Sequence, residues 1–207
     1  MLGRVRGLLA IAAMCAWAAA VGAGMMTMWA YANAPGPPAD APVRWPESSR
    51  IPPPAGRPVL VIALHPQCPC SRATVSELSR LLAHVAAPPD VHLLFVAPST
   101  VEDAWVRSGL WATASALPGV HVTRDDGSEA RRFGARVSGQ VMAYDRDGRL
   151  QFSGGITGAR GHEGDNAGRA AIGDFLAGRP HPGETFVFGC LLFDGDGQAA
   201  PWLGGSA

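Results

Sequence analysis

Residues 57–85 read RPVLVIALHPQCPCSRATVSELSRLLAHV, and the pattern changes character halfway along. Val59 to Leu64 form a short unbroken apolar run behind Pro58, as expected of a strand buried on both faces. Beyond it Val75, Leu78, Leu81, Leu82 and Val85 recur at spacings of three and four, which predicts a helix with one buried stripe opening near Cys70 or Ser71. Cys68, Pro69 and Cys70 therefore fall at a strand-to-helix turn. A second buried strand comes next, in VHLLFVAP from Val91. Strand, helix and strand in series imply a parallel pair joined by a right-handed crossover. The fold class expected is α/β, a central mixed sheet flanked by helices.

Downstream the signals are shorter. Residues 101–116 read as helix, Val120 to Val122 as a short strand and 127–133 as a further helix. In GQVMAYDRDGRLQFSGGI from Gly139, two apolar runs flank Asp145-Arg146-Asp147-Gly148, a turn that closes an antiparallel hairpin. GHEGDNAG at 161–168 reads as a loop in which Asp165 or Asn166 caps a last helix over 170–176. GETFVFGCLLF at 183–193 reads as a late strand carrying Cys190.

Upstream, no charged residue occurs from Gly7 to Ala32, a run longer than the roughly 20 residues that cross a bilayer. Arg4 and Arg6 precede it and Asp40 is the first charge after it, which places the N-terminus in the cytoplasm and the remainder outside. A cleaved signal peptide ending near Ala30-Tyr31-Ala32 is the other reading, although its apolar region should be only about 7–15 residues long. In either case the domain is exported to a compartment where disulfides form. The prolines from Pro35 to Pro58 forbid helix and favour an extended stalk, from which Trp45 can pack back on the domain. The organisation expected is a transmembrane anchor or uncleaved signal at 1–32, a proline-rich linker at 33–56, a folded domain at 57–193 and a flexible tail at 194–207. The corresponding location is the bacterial inner membrane, single-pass, with the C-terminal domain in the periplasm.

The 207 residues are 47% hydrophobic and 16% charged, with 17 basic and 17 acidic side chains. The apolar excess lies in the first 32 positions, and the rest of the chain suits one domain. Without a basic surplus there is no footprint for nucleic acid.

Thiols carry the chemistry. The thiolate is the nucleophile, and a helix N-terminus stabilises it through unpaired N–H groups and the macrodipole; Cys68 stands where that happens. Cys70 is near enough to bond with it, but the small ring containing Pro69 would be strained and easily reduced. The chain between Gly178 and Cys190 is long enough to return to the same end of the domain. Cys190 thus either resolves Cys68 or Cys70, or fills a core position as a small hydrophobe. His65 either modulates the thiolate or sits where Pro66 ends the strand. Cys15 lies in the apolar segment.

The order strand, cysteine-bearing turn, helix, strand, helix, hairpin, helix resembles the thioredoxin fold over residues 57–193. LPGVHVTRDDGSEARRFGARVSGQVMAYDRDGRL from Leu117 is similar to the middle of its TlpA-like and peroxiredoxin-like branches. HPQCPCSRAT, GGITGARGHEGDNAG and FGC together resemble the exported RedB-like proteins. The resemblance implies a membrane-tethered thiol-disulfide oxidoreductase in which Cys68 attacks, acting without a cofactor on thiols or disulfides of exported proteins. It also implies that His162, Glu163 and Asp165 approach the cysteines. There His162 serves as proton shuttle, as a third Cu(I) ligand beside Cys68 and Cys70, or only to shape a turn. Two departures stand out: Ser71 takes the place of the family's second cysteine, and the family's cis-proline falls near Gly139. Thiol-disulfide exchange, copper binding or delivery, and a non-catalytic scaffold all remain open.

Overall fold

The computed structural model describes residues 2–194 and 197–199. The chain forms two compact units, Met1–Ala34 and Pro35–Ala207. The first is one helix, α1 (Leu2–Asn33), whose side chains are exposed from Arg4 to Tyr31. Its stretch Arg4–Asn33 is long and apolar enough to cross a membrane.

The second unit is built on a five-stranded sheet in the order β3-β2-β1-β4-β5, with β1 Val59–Leu64, β2 Asp90–Val96, β3 Val120–Asp125, β4 Gln140–Tyr144 and β5 Leu150–Gly155. β1, β2 and β3 run parallel, whereas β4 is antiparallel to both β1 and β5. Helix α2 (Pro69–His84) joins β1 to β2. Both faces of β1 are covered, which is why it reads as unbroken hydrophobic sequence. On one face Leu60, Ile62 and Leu64 pack with Val75, Leu78 and Leu81 of α2 and with Ile172 of α6 (Ala167–Leu176). On the other Val59, Val61 and Ala63 pack with Phe133, Met142 and Tyr144. Burying a side chain such as Leu78, which is fully enclosed, contributes about 1.5–3 kcal/mol.

Three sequence expectations need correction. The helix expected over 101–116 is two helices, α3 (Asp103–Val106) and α4 (Gly109–Ser115), because Ser108 between them is extended and its hydroxyl donates to the Pro66 carbonyl. The late strand at 183–193 forms only isolated bridges, Glu184 with Ser153 in parallel and Leu191 with Val137 in antiparallel. The segment changes partner midway, so neither ladder propagates. The proline-rich stretch is extended but is no free linker, since Gly36, Asp40 and Trp45 donate N–H bonds to Val187, Gly134 and Gly148. Carbonyls of Pro37 and Pro42 accept from Gln140 and Tyr144, and Trp45 meets Phe133 and Tyr144 edge-on at 4.9 and 5.1 Å. Prolines cannot donate to a ladder, yet their carbonyls serve as acceptors. Of the tail, Ala199 pairs with Phe193; residues 195, 196 and 200–207 lie outside those described.

α5 (Ser128–Arg132) and the hairpin at 145–148 match the expectation, and Asn166 rather than Asp165 caps α6 by accepting from the Arg169 N–H at 2.8 Å.

Candidate functional site

At the C-terminal end of β1 the chain turns through His65, Pro66 and Gln67 into α2. Cys68 is the N-cap residue, with φ −86° and ψ 128°. Pro69 occupies the first helical position, where its missing N–H costs nothing and its fixed φ suits the helix. Cys70 follows on the first turn. Both cysteines are buried, at 2% and 5% exposure.

The third thiol arrives from the far end of the domain. The Cys190 carbonyl accepts the Ser138 N–H at 2.8 Å and the Leu192 N–H reaches the Arg136 carbonyl at 2.9 Å. The Arg160 guanidinium holds the Gly189 carbonyl, and Leu192 is fully buried. The residue before Cys190 must be small: a Cβ on Gly189 would stand 1.9 Å from the Ser138 carbonyl oxygen. The result is a Cys68 to Cys190 sulfur distance of 3.8 Å, and all three sulfurs lie within 4.8 Å of one another. The thiols are free.

Three neighbouring thiols do not share charge evenly. Hydrogen bonds from Cys190 and then Cys70, with lesser help from the Ser71 and Cys70 backbone N–H groups, hold the Cys68 thiol well below the ordinary range against the opposing effect of burial. Cys70 is pushed up by the same hydrogen bonding to Cys190 and Cys68 and by burial. Cys190 is raised as well, chiefly by donating to Cys68. Of the three thiols Cys68 is thus the one most readily ionised.

Ser71, at the position where the sequence resemblance leads one to expect a second cysteine, is a structural stitch. Its hydroxyl accepts from the His65 N–H at 3.0 Å, reaches the His65 carbonyl at 2.8 Å and lies 2.6 Å from the Ser138 hydroxyl. Gly139, next in line, has φ +91° and its N–H donates to the Ala63 carbonyl. A Cβ there would meet the Thr74 hydroxyl at 2.8 Å. No cis peptide bond occurs among the described residues, so a left-handed glycine, not a cis-proline, turns the chain into β4.

The polar residues expected beside the thiols have partners of their own. His65 is buried, its Nδ1 accepts from the Gln67 N–H, and its ring meets Trp105 edge-on. Glu163 bonds Ser76 and Arg80 of α2, and Asp165 pairs with Arg169. His162 is exposed in the loop, and among the described residues the three side chains that come together are Cys68, Cys70 and Cys190. What fixes this loop is Glu77, fully buried and bonded to the Gly164 N–H, Arg80 and Arg169. A charged residue interrupting the apolar stripe of α2 was the available signal for it. Ser138 and Arg160 gave none. Beside Cys68 a groove of about 850 Å³ opens, lined by Gln67, Arg72, Ser108, Leu110 and Thr113 among others.

The parallel β1-α2-β2 half, the antiparallel β4-β5-α6 half and a cysteine at the start of the first domain helix define a thioredoxin-like fold. No family model matches the sequence, and comparison with curated proteins finds no match either. Among solved structures, a hypothetical protein of Sinorhizobium meliloti 1021 superposes with TM-score 0.58 at 18% identity, over 75% of this chain and 97% of that one. An uncharacterized conserved protein of Geobacillus kaustophilus gives TM-score 0.56 at 19% identity, over 77% and 90%. An exposed lipoprotein thioredoxin of Streptococcus pneumoniae strain TIGR4 gives 0.43 at 16% identity, over 59% and 85%. At these identities the likeness concerns the fold.

Proposed function

We propose that the protein is a membrane-tethered, extracytoplasmic thiol-disulfide oxidoreductase in which Cys68 attacks and Cys190 resolves. The observation that carries this reading is the 3.8 Å approach of Cys190 to Cys68, with Cys68 the thiol favoured as thiolate. In the reduced protein the Cys68 thiolate attacks one sulfur of a partner disulfide, a mixed disulfide forms, and the partner's other sulfur leaves as thiolate. Cys190, once deprotonated, attacks the Cys68 sulfur; the partner departs with both sulfurs reduced and a Cys68–Cys190 disulfide remains. Two electrons pass to the partner, and an external dithiol donor restores the reduced pair. The groove beside Cys68 offers the approach for an exported partner. The sequence resemblance to RedB-like and TlpA-like proteins supports the same chemistry, and the apolar helix behind Arg4 and Arg6 supports an inner-membrane anchor with the domain on the periplasmic side. Cys70 keeps a supporting role beside Cys68, in a ring too tight for an easy disulfide.

The test is trapping of partners in membrane extracts. Cys190→Ser should accumulate a mixed disulfide between Cys68 and an exported partner, sedimenting with membranes, whereas Cys70→Ser should not. Trapping by Cys70→Ser alone would transfer the resolving role to Cys70, and no trapped species in either variant would refute thiol-disulfide exchange.

A further inference from the structure

The three sulfurs form more than a reactive pair. Thiolates bound to one small closed-shell ion at about 2.3 Å sit about 4 Å apart when three of them surround it in a plane. Cys68 and Cys190 are 3.8 Å apart and Cys70 lies within 4.8 Å of both, so one edge already has the length of a trigonal site and the other two exceed it by less than about 1 Å. We infer that Cys68, Cys70 and Cys190 form a Cu(I) site with sulfur as its only protein ligand.

Donor type, donor number and preorganisation select the ion. All three donors are thiols, which favour soft Cu(I) over the oxygen-seeking magnesium and calcium ions. Among the described residues no histidine or carboxylate joins the group. Structural zinc closes its shell with four protein ligands, whereas three sulfurs suffice for Cu(I). The ligands also come preset from two separate parts of the fold: the first turn of α2 supplies two, and the paired backbone at Ser138 and Cys190 supplies the third. A site ordered before its ligand arrives does not spend binding free energy on ordering itself.

Charge is accommodated as well. Three thiolates around one Cu(I) leave a surplus of negative charge, facing the N-terminus of the 16-residue α2 and the Arg160 guanidinium that holds the neighbouring Gly189 carbonyl. The pinned segment has a further consequence. Its backbone pairs with residues 136–138, so those groups are already taken and are not available to an incoming extended chain, whereas an ion needs no such pairing. A Cys68–Cys190 disulfide removes two of the three ligands, so the oxidised and the copper-loaded protein exclude each other. Copper capture is therefore a second use of the same thiols and does not depend on exchange with a partner.

Full-length reduced protein in detergent, carrying Cys15→Ser so that no thiol outside the cluster competes, should be titrated anaerobically with Cu(I) against a chromogenic Cu(I) chelator. One Cu(I) per chain is expected, with X-ray absorption showing three sulfurs at about 2.3 Å. Cys190→Ser should weaken binding by more than about tenfold, and His162→Ala should leave it unchanged. No uptake, a nitrogen in the copper shell, or a loss with His162→Ala as large as with Cys190→Ser would overturn the site. Since the absorption measurement uses unaltered cluster residues, misfolding of one variant cannot decide the outcome. Partner trapping by Cys190→Ser without copper uptake would leave the exchange reading standing alone, and copper uptake without trapping would leave the site standing alone.

Discussion

The first turn of α2 and the segment 183–193 deliver sulfur to the same place by different means. The helix places Cys68 and Cys70 through a regular element, with an apolar stripe packed on β1, a proline at its first position and a backbone that ends against the β1 turn. The late segment has no regular element. It places Cys190 through a few separate contacts: one bridge to Val137, a bond from Ser138, the Arg160 contact and a glycine pressed on a carbonyl oxygen. Periodic packing distributes its stabilisation over many residues, whereas point contacts concentrate it in a few. The two thiol sources should therefore differ in ionisation, in tolerance to substitution and in how they fail.

The largest difference expected is in reactivity. An ordinary thiol with pKa about 8.5 loses roughly several hundred-fold in alkylation rate between pH 8 and pH 5, as its thiolate fraction falls about tenfold per unit. Cys68 is held well below that range by its two thiol donors, so in the metal-free reduced protein its labelling should stay nearly level across this interval. Cys190, raised by donating to Cys68, should follow the ordinary steep decline or a steeper one. Peptide mass analysis after timed labelling reads both at once, and parallel pH profiles for the two cysteines would erase the distinction.

Next in size is the sensitivity of the point contacts. Gly189→Val puts a branched side chain where even a Cβ would lie 1.9 Å from the Ser138 oxygen and 2.9 Å from Val137. The backbone must yield, and we expect a loss of about 3 kcal/mol, the upper end for overpacking, together with loss of the Cys68–Cys190 crosslink under mild oxidation. Denaturant unfolding and non-reducing peptide mapping measure the two effects. A Gly189→Val protein that still crosslinks would show that Cys190 does not depend on this contact.

The same contrast explains what could be read from the sequence. β1, α2 and β2 carry periodic signals because each has an extended or helical face to bury, and the hairpin at 145–148 carries turn chemistry. The break at Ser108, the switch of partner within 183–193 and the docking of the proline-rich stretch leave no period, since each depends on which surface happens to lie opposite. The site divides likewise. Cys68 was legible from its place before a helix, while the pairing of Ser138 with Cys190, the anchoring by Arg160 and the diversion of Glu163 and Asp165 to Arg80 and Arg169 are tertiary facts. Ser71 was legible only as a missing cysteine; its actual work became visible from the hydroxyls and backbone groups around it.

That work gives the smallest of the expected effects and the one that joins the two regions. Ser71 and Ser138 share a 2.6 Å hydrogen bond, and each hydroxyl also accepts from the His65 N–H, at 3.0 and 3.1 Å. The Ser138 N–H in turn holds the Cys190 carbonyl, so this pair of serines ties the β1 turn and α2 to the segment that carries the third thiol. Ser71→Ala leaves the His65 N–H bonded to Ser138 but removes the acceptor of the buried Ser138 hydroxyl, because the Ser71 O–H is given to the His65 carbonyl. The loss expected is therefore about 1–3 kcal/mol, the cost of an orphaned hydroxyl. Ser138→Ala leaves the Ser71 O–H on the His65 carbonyl and the His65 N–H on Ser71, so it should lose only about 1 kcal/mol. In the double variant the orphaned hydroxyl is gone while both serine acceptors of the His65 N–H are lost, so the result should depart from the sum of the singles by about 0.5 kcal/mol or more. Because alanine keeps the backbone N–H that Ser71 offers to Cys68, the level labelling profile of Cys68 should survive Ser71→Ala. Strict additivity in the unfolding cycle would mean that the two serines stabilise the turn independently, and a Cys68 profile that steepens in Ser71→Ala would move the serine from structural stitch into the thiol chemistry itself.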